Sequence, residues 1–402
     1  MTKIGIIRED KVPVDRRVAL SPEQAREVKE KFKGVEVVCQ SSKIRCFNDE
    51  EYIKQGISIV ESVEDCDILL GVKEVPKENL IEGKTYLFFS HTVKEQVYNR
   101  ELLKTILKKK IRMVDYELLT DHKNARIIAF GRYAGLVGAY NAIWTYGKRY
   151  NLYHLRRAHE CFDFHDMKKE LKKVELPHVR FILTGGGRVA KGAMEVLMAA
   201  GIRRVSPEEF LTEHFDFPIF TQLNARDYHE RKDGGPFSLT DFFQNPEHYE
   251  GDFVKYAKKG DVLIAGAFWD PRSPRLFGMD DAVKNSFRIK VIADITCDIK
   301  GSIPSTIRPC TIDQPLYDFN PTDEREEAPL TDEGNITVMA IDNLPCELPR
   351  DASWDFGQDM LNKVIPHLIG TDTEGIIERA TIAKEGALTK KYAYLQNFVD
   401  GK

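Results

Sequence analysis

Three polar residues in the first third of the chain stand at the ends of apolar runs. Lys73 closes the run Ile68–Val72, His91 follows Tyr86–Ser90, and Arg17 lies in Arg16-Arg17-Val18-Ala19-Leu20-Ser21-Pro22. The C-terminal ends of strands are where open α/β sheets present groups to a ligand. A guanidinium can hold a carboxylate through two parallel N–H···O bonds, and an amine beside an imidazole can move protons. Together they supply what a reaction between an amine and a carbonyl requires. Taken singly, each is equally a solvent-facing charge.

A second signal is Thr184-Gly185-Gly186-Gly187-Arg188-Val189-Ala190-Lys191-Gly192-Ala193, which follows an apolar run and opens a helical pattern. The spacing Gly185-x-Gly187-x-x-Ala190 in a strand–turn–helix context suits a dinucleotide. Glycines let the backbone approach a pyrophosphate, and the helix start offers N–H donors and the positive end of its dipole. A plain tight turn is the alternative. The acid that reads a ribose about 20 residues further on is absent. The next strand ends Ile202-Arg203-Arg204-Val205-Ser206-Pro207, where Ser206 with Arg203 or Arg204 could accept a 2′-phosphate. That favours NADP over NAD, unless Glu208 or Glu209 takes the missing acid's place.

His154, His159 and His165 beside Cys161 do not share a helix face, and no second cluster completes a metal site. No metal is expected.

The elements that must position these groups alternate between strand and helix nearly from end to end, as in an α/β protein. Strands are expected at Lys3–Arg8, Val35–Cys39, Asp67–Lys73, Tyr86–Ser90, Arg112–Tyr116 and Arg126–Phe130. Ser21 caps a helix with Pro22 first inside it and Gln24 closing a capping box. Helices are expected from about Val93 to Lys110 and from Tyr133 to Tyr150, the second with closely spaced Ala and Gly for tight packing. A new βα rhythm brings strands at Phe181–Leu183, Val262–Phe268, Lys290–Ile295 and Ile336–Ile341, and a helix from Val189 to Ala200. Residues 207–260 read as a polar, aromatic, irregular insertion. The tail from about Ala352 is helical and returns to the first unit. The expected architecture is two Rossmann-like domains: a substrate domain of residues 1–135 completed by 347–402, and a dinucleotide domain of residues 136–346.

Composition agrees with a globular enzyme or binding protein. Hydrophobic residues are 42% and charged residues 30% of 402, and 59 basic against 63 acidic residues leave a net charge of −4. Nucleic acid and anionic membranes want a basic face, so neither is an expected partner. No apolar run approaches the ~18 residues of a membrane span. Seven cysteines without a C-x-x-C pair suggest reduced thiols, and with no secretory start the expected location is cytoplasmic. The expected partner is a small molecule, with homo-oligomer formation left open.

These signals converge on a resemblance to the lysine-forming saccharopine dehydrogenases, and more closely to the lysine–2-oxoglutarate reductase half of the bifunctional aminoadipic semialdehyde synthases. Both sit within the wider alanine dehydrogenase/transhydrogenase-like family. Matching segments are Arg8-Glu9-Asp10 through Leu20, Leu70–Lys73, Phe88–Thr92, Ala129–Gly135, the Gly-rich turn, Ala293–Asp298, and Ile341–Pro345 leading to Leu348-Pro349. The resemblance implies a first domain made from both chain ends, an interdomain cleft, and Lys73 and His91 as acid–base pair. It further implies substrate contacts at Arg17, Gln96, Arg126, Phe130, Thr296, Cys297 and Asp298. Dinucleotide contacts are implied at Gly187, Arg188, Ile295, Ile341, Asp342, Asn343 and Leu344, beside Gly185 and Ser206 from the motif reading. The fungal enzymes carry an aspartate where this chain has Val205-Ser206-Pro207, which leaves the choice within NAD(P)H open. The implied reaction interconverts lysine plus 2-oxoglutarate with saccharopine. Alternatives are another opine-type or alanine-type amino-acid dehydrogenase, or a nucleotide sensor without turnover.

Overall fold

The computed structural model describes all 402 residues and divides into two compact units, Met1–Phe130 with Pro349–Lys402, and Gly131–Leu348. The division falls at 130/131 and 348/349 rather than at the expected 135/136 and 346/347. The reason is a single helix, Gly131–Arg149, that cannot be cut: it packs along helix Arg188–Ala199. A Cβ at Gly135 would lie 1.9 Å from the Val189 carbonyl oxygen, and one at Gly192 2.0 Å from that of Arg132. Glycine at both positions is the condition for that approach. The tight packing expected of this helix is thereby met.

In the first unit, β1 (Thr2–Ile6), β2 (Val35–Gln40), β3 (Ser58–Val60), β4 (Ile68–Leu70), β5 (Thr85–Phe88) and β6 (Arg112–Asp115) form a parallel sheet ordered β3-β2-β1-β4-β5-β6. The order reverses between β1 and β4, a topological switch point where such sheets bind ligands. In central β4, Ile68, Leu69 and Leu70 are all buried, the pattern of a parallel strand covered on both faces. The capping box at Ser21 and Gln24 forms as expected.

Two expectations fail here. Arg126–Phe130 is no strand, because the edge of β6 it would need is taken by Thr381–Lys384, which pairs antiparallel from the C-terminal segment. The helix expected from Val93 begins only at Arg100. Before it lie two single 3₁₀ turns, Thr92–Lys94 and Val97–Asn99, separated by Glu95 at φ 52°, a left-handed residue that no helix can run through.

The second unit holds β7 (Arg180–Thr184), β8 (Arg203–Val205), β9 (Ile219–Leu223), β10 (His229–Arg231), β11 (Tyr249–Gly251), β12 (Val262–Ala265), β13 (Val291–Asp294), β14 (Tyr317–Asn320), β15 (Arg325–Glu327) and β16 (Ile336–Met339). Its main sheet runs β15-β14-β16-β13-β12-β7-β9-β8, parallel from β8 to β16, while β10 and β11 make a separate hairpin. The segment 207–260 is therefore not all insertion: Ile219–Leu223 is a fully buried strand beside β7. Its Thr221 and Gln222 disguise it as irregular polar sequence. No helix of the chain is long and apolar enough to cross a membrane.

Candidate functional site

The first unit gathers its functional groups where β1, β4 and β5 end. Pairing of β4 with β5 continues past both strands, with Gly71 N–H donating to Leu87 O and Phe89 N–H to Val72 O, each at 3.0 Å. Lys73 and His91 therefore leave the sheet side by side. His91 has φ 53°, which turns its ring out of the strand direction. Its Nδ1 lies 2.6 Å from Glu74 Oε1, and Glu74 also pairs with Lys11. Burial works to raise the Glu74 carboxyl, but the hydrogen bonds from His91 and Lys11 outweigh it and hold it at about 2. An ionised carboxylate only accepts, so His91 donates from Nδ1 and its Nε2 is the atom left for proton transfer.

Arg17 is 3% exposed. Its Nε and Nη2 donate to the two oxygens of buried Asp15 at 3.1 and 2.6 Å, and the guanidinium lies 4.2 Å from the Phe130 ring centroid. Phe130 in turn stacks on Phe356 at 4.5 Å with an 8° interplanar angle. The guanidinium expected to clamp a substrate carboxylate is thus already engaged by Asp15 within its own unit. Arg126 is partly exposed, 3.7 Å from Glu117 and 6.0 Å over Phe89. Gln96 is exposed between the two 3₁₀ turns; its side chain accepts from the Tyr98 hydroxyl, and its carbonyl accepts from Asn99 N–H, whose side-chain amide donates to His91 O.

Glu74, Lys11, Asp15 and Glu9 escaped the sequence reading. Glu74 adjoins Lys73 and Asp15 stands two residues before Arg17, so a search for acids flanking the chosen cations would have found both.

In the second unit the turns after β7, β12, β13 and β16 share one sheet edge. The order reverses between β7 and β12, and there the Gly-rich turn sits. Gly185 has φ 101°, and a Cβ on it would meet Gly266 O at 3.0 Å. Gly186, Gly187 and Arg188 are exposed at the start of the twelve-residue helix Arg188–Ala199, whose first N–H groups have no partner within the helix. A Cβ at Gly186 would fall 2.6 Å from Asn224 Oδ1. This bare cradle at a helix start fits a dinucleotide pyrophosphate.

Residues after β13 and β16 line the same edge. Thr296 Oγ1 donates to buried Asp294 at 2.7 Å, and Cys297, at φ 55°, donates its thiol to Ala340 O at 3.2 Å. Burial first, then Asp342 and other nearby acids, push that thiol up to about 12, so it is no nucleophile. Asp298 is exposed. Ile295 packs against Gly138 together with Leu344, and Ile341 is buried. Ile341 and Leu344 can therefore meet a ligand only through their backbone, whereas Asp342 is exposed and Asn343 half-buried.

Ser206 needs a correction. The strand it follows, β8, is at the sheet edge, one strand removed from β7. Its hydroxyl caps helix Pro207–Thr212, accepting from Glu209 N–H at 3.1 Å, while the Glu209 carboxylate returns to Ser206 N–H at 2.7 Å. Arg203 turns to the Phe217 ring. The strand next to the Gly-rich strand is β9, and its end carries Gln222, Asn224 and Arg226. Gln222 Nε2 donates to Gly185 O at 2.8 Å, and Arg204 Nη2 reaches Gln222 Oε1 at 2.9 Å. The acid there, Asp227, accepts from Asn224 N–H at 2.7 Å and so closes its own turn. The 20-residue spacing misled because one edge strand and its helix precede the inner strand.

The family model for the alanine dehydrogenase/PNT N-terminal domain matches residues 5–137. Over 93% of its length the chain is 26% identical to saccharopine dehydrogenase [NAD(+), L-lysine-forming] of Yarrowia lipolytica, covering 94% of that protein. The chain is thus similar in sequence to saccharopine dehydrogenases over most of its length. It is also 30% identical, over 99% of its length, to mitochondrial alpha-aminoadipic semialdehyde synthase of Mus musculus, covering 48% of that protein. The chain thus spans about half the length of such curated relatives. Among solved structures, an L-alanine dehydrogenase superimposes with a TM-score of 0.65 at 16% identity, covering 99% of both chains. A transhydrogenase from Sinorhizobium meliloti gives 0.57 at 13%, covering 96% of this chain and 98% of that one. At these identities the likeness is one of fold: two Rossmann-like units.

Proposed function

We propose that the chain is a pyridine-nucleotide-dependent oxidoreductase that interconverts lysine plus 2-oxoglutarate with saccharopine. The observation that carries this reading is the pairing of Lys73 with a His91–Glu74 couple at neighbouring strand ends, in a chain that also holds an exposed Gly-rich helix start. Relatives of the same name over nearly the whole chain support it.

In the reductive direction the lysine ε-amine adds to the keto carbon of 2-oxoglutarate, and the carbinolamine loses its hydroxyl as water. A reduced nucleotide, when bound, would supply the hydride that reduces the imine. Lys73 and His91 Nε2 move the protons: one is taken from the attacking nitrogen, and one is given to the departing hydroxyl. Glu74 keeps the Nδ1 proton of His91 in place and so fixes the tautomer and the ring orientation. Arg17 and Arg126 orient substrate carboxylates, with Phe130 and Phe356 fixing the Arg17 plane. Gly186, Gly187 and Arg188 would hold the pyrophosphate through backbone N–H groups, the Gly185 N–H being taken by Leu223 O.

For the ribose, Arg226 and Arg204 flank Gln222 and Asn224 while Asp227 is engaged, an arrangement that favours a 2′-phosphate and hence NADP. All seven cysteines are free thiols, which suits a reducing compartment, taken here as the cytoplasm. The ligands are small molecules, with no nucleic-acid or membrane partner. Steady-state assay of the purified chain with lysine, 2-oxoglutarate and NADPH or NADH should consume reduced nucleotide only when both carbon substrates are present. Turnover with pyruvate and ammonia instead would assign an alanine-type activity, and nucleotide binding without turnover on any substrate would make it a sensor.

A further inference from the structure

The acid–base lysine depends on where its own peptide is held. Glu9, three residues beyond β1 at the switch point, is 7% exposed. Its two carboxyl oxygens accept from the Val72 and Lys73 amides at 2.6 and 2.9 Å, the two peptides at which the chain leaves the β4 end. Gly71 makes room for it: a Cβ there would lie 3.4 Å from Glu9 Oε1 and 2.9 Å from Ile7 Cδ1. The other ionisable groups near Glu9 are Asp15 and Arg17 on the following segment and Tyr116 on the turn after β6.

A carboxylate is an expensive way to satisfy two amides in this place. Burial first, and then the Asp15 charge, push Glu9 up to about 8 against the pull of the two N–H donors and Arg17. Yet only a carboxylate offers two acceptors at that spacing; a glutamine would turn an N–H toward one of the amides. We propose that Glu9 is a positioning residue for the reaction inferred above: its carboxylate clamps the Val72–Lys73 peptides and so sets where the Lys73 side chain leaves the sheet. This rests on the proposed function, in which Lys73 moves protons. Protonation removes one acceptor, so the clamp is complete only as pH rises through the Glu9 ionisation.

The test uses the full chain with Glu9→Gln, which keeps shape and one acceptor. Expected at saturating nucleotide and substrates are a kcat lowered about tenfold or more at pH 9, nucleotide KM within twofold, and loss of the wild-type rise in kcat across pH 8. Amide exchange at Val72 and Lys73 should quicken at least tenfold while the chain still melts cooperatively. Wild-type kcat and pH profile in the variant would overturn the positioning role, and unchanged exchange would overturn the clamp. If Glu9→Gln does not fold, Glu9→Asp keeps the charge but cannot reach both amides; full activity in that variant overturns the inference equally. Failure of the functional reading looks different: wild type itself is then inactive on lysine and 2-oxoglutarate, while amide exchange still decides the clamp.

Discussion

Nucleotide choice should follow Arg226 and ignore Ser206, and the two substitutions can be set against each other. Arg226 lies in the turn that directly follows β9, its side chain is 72% exposed, and its one carboxylate neighbour, Asp227, is 3.8 Å away. A guanidinium about 4 Å from a phosphate charge is worth roughly 1 kcal/mol at the dielectric of water and roughly 4 kcal/mol at a protein surface. Exposure and salt place this site near the lower end. A contribution of about 1.4 kcal/mol corresponds to about tenfold in kcat/KM. Arg226→Ala should therefore lower kcat/KM for NADPH about tenfold, leave NADH within twofold, and narrow the gap as salt is raised. Ser206→Ala removes a helix cap, which costs about 1 kcal/mol of stability and lowers Tm by about 2–4 °C, with the NADPH/NADH ratio unchanged. Initial-rate kinetics with both nucleotides at two ionic strengths, together with thermal melts, read all of this. An Arg226→Ala enzyme with unaltered selectivity, or a Ser206→Ala enzyme with altered selectivity, refutes the strand-order argument.

Lys73→Met and His91→Gln should each lower turnover by ~10²–10⁴ while nucleotide affinity, measured by fluorescence titration, is retained. Gly135→Ala should destabilise by about 1–3 kcal/mol in urea melts, since its methyl would meet the Val189 carbonyl at 1.9 Å and the two helices must part. Glu74, held at about 2 in the folded chain, contributes stability that is present above about pH 4.5 and fades as pH falls toward 2; Glu74→Gln should flatten that acid limb. Glu9 works in the opposite sense: its raised value makes folding less favourable as pH climbs from about 4.5 to 8, by up to roughly 4–5 kcal/mol. Denaturant midpoints of Glu9→Gln should accordingly lose that decline.

Local patterns carry local structure, and those parts were legible in the chain as written. The Ser21–Gln24 capping box, the apolar runs of β1, β4, β5 and β7, and the glycine turn opening a helix all lie within about a dozen consecutive residues. Steric and hydrogen-bonding rules act over that same range. Lys73 and His91 could be paired in advance because both follow buried runs, and buried parallel strands end where ligands bind. What the tertiary structure alone decided is who stands beside whom. Thr381–Lys384 occupies the edge of β6 and leaves Arg126–Phe130 without a strand partner. Ile219–Leu223 takes the place beside β7 and sends Ser206 to the sheet edge. Glu74 reaches His91 across 17 residues, and Glu9 reaches Lys73 across 64. Strand order and ion pairing are contacts between segments distant in the chain. They follow from which arrangement buries every apolar face and satisfies every buried polar group together, and no single stretch of sequence contains that comparison.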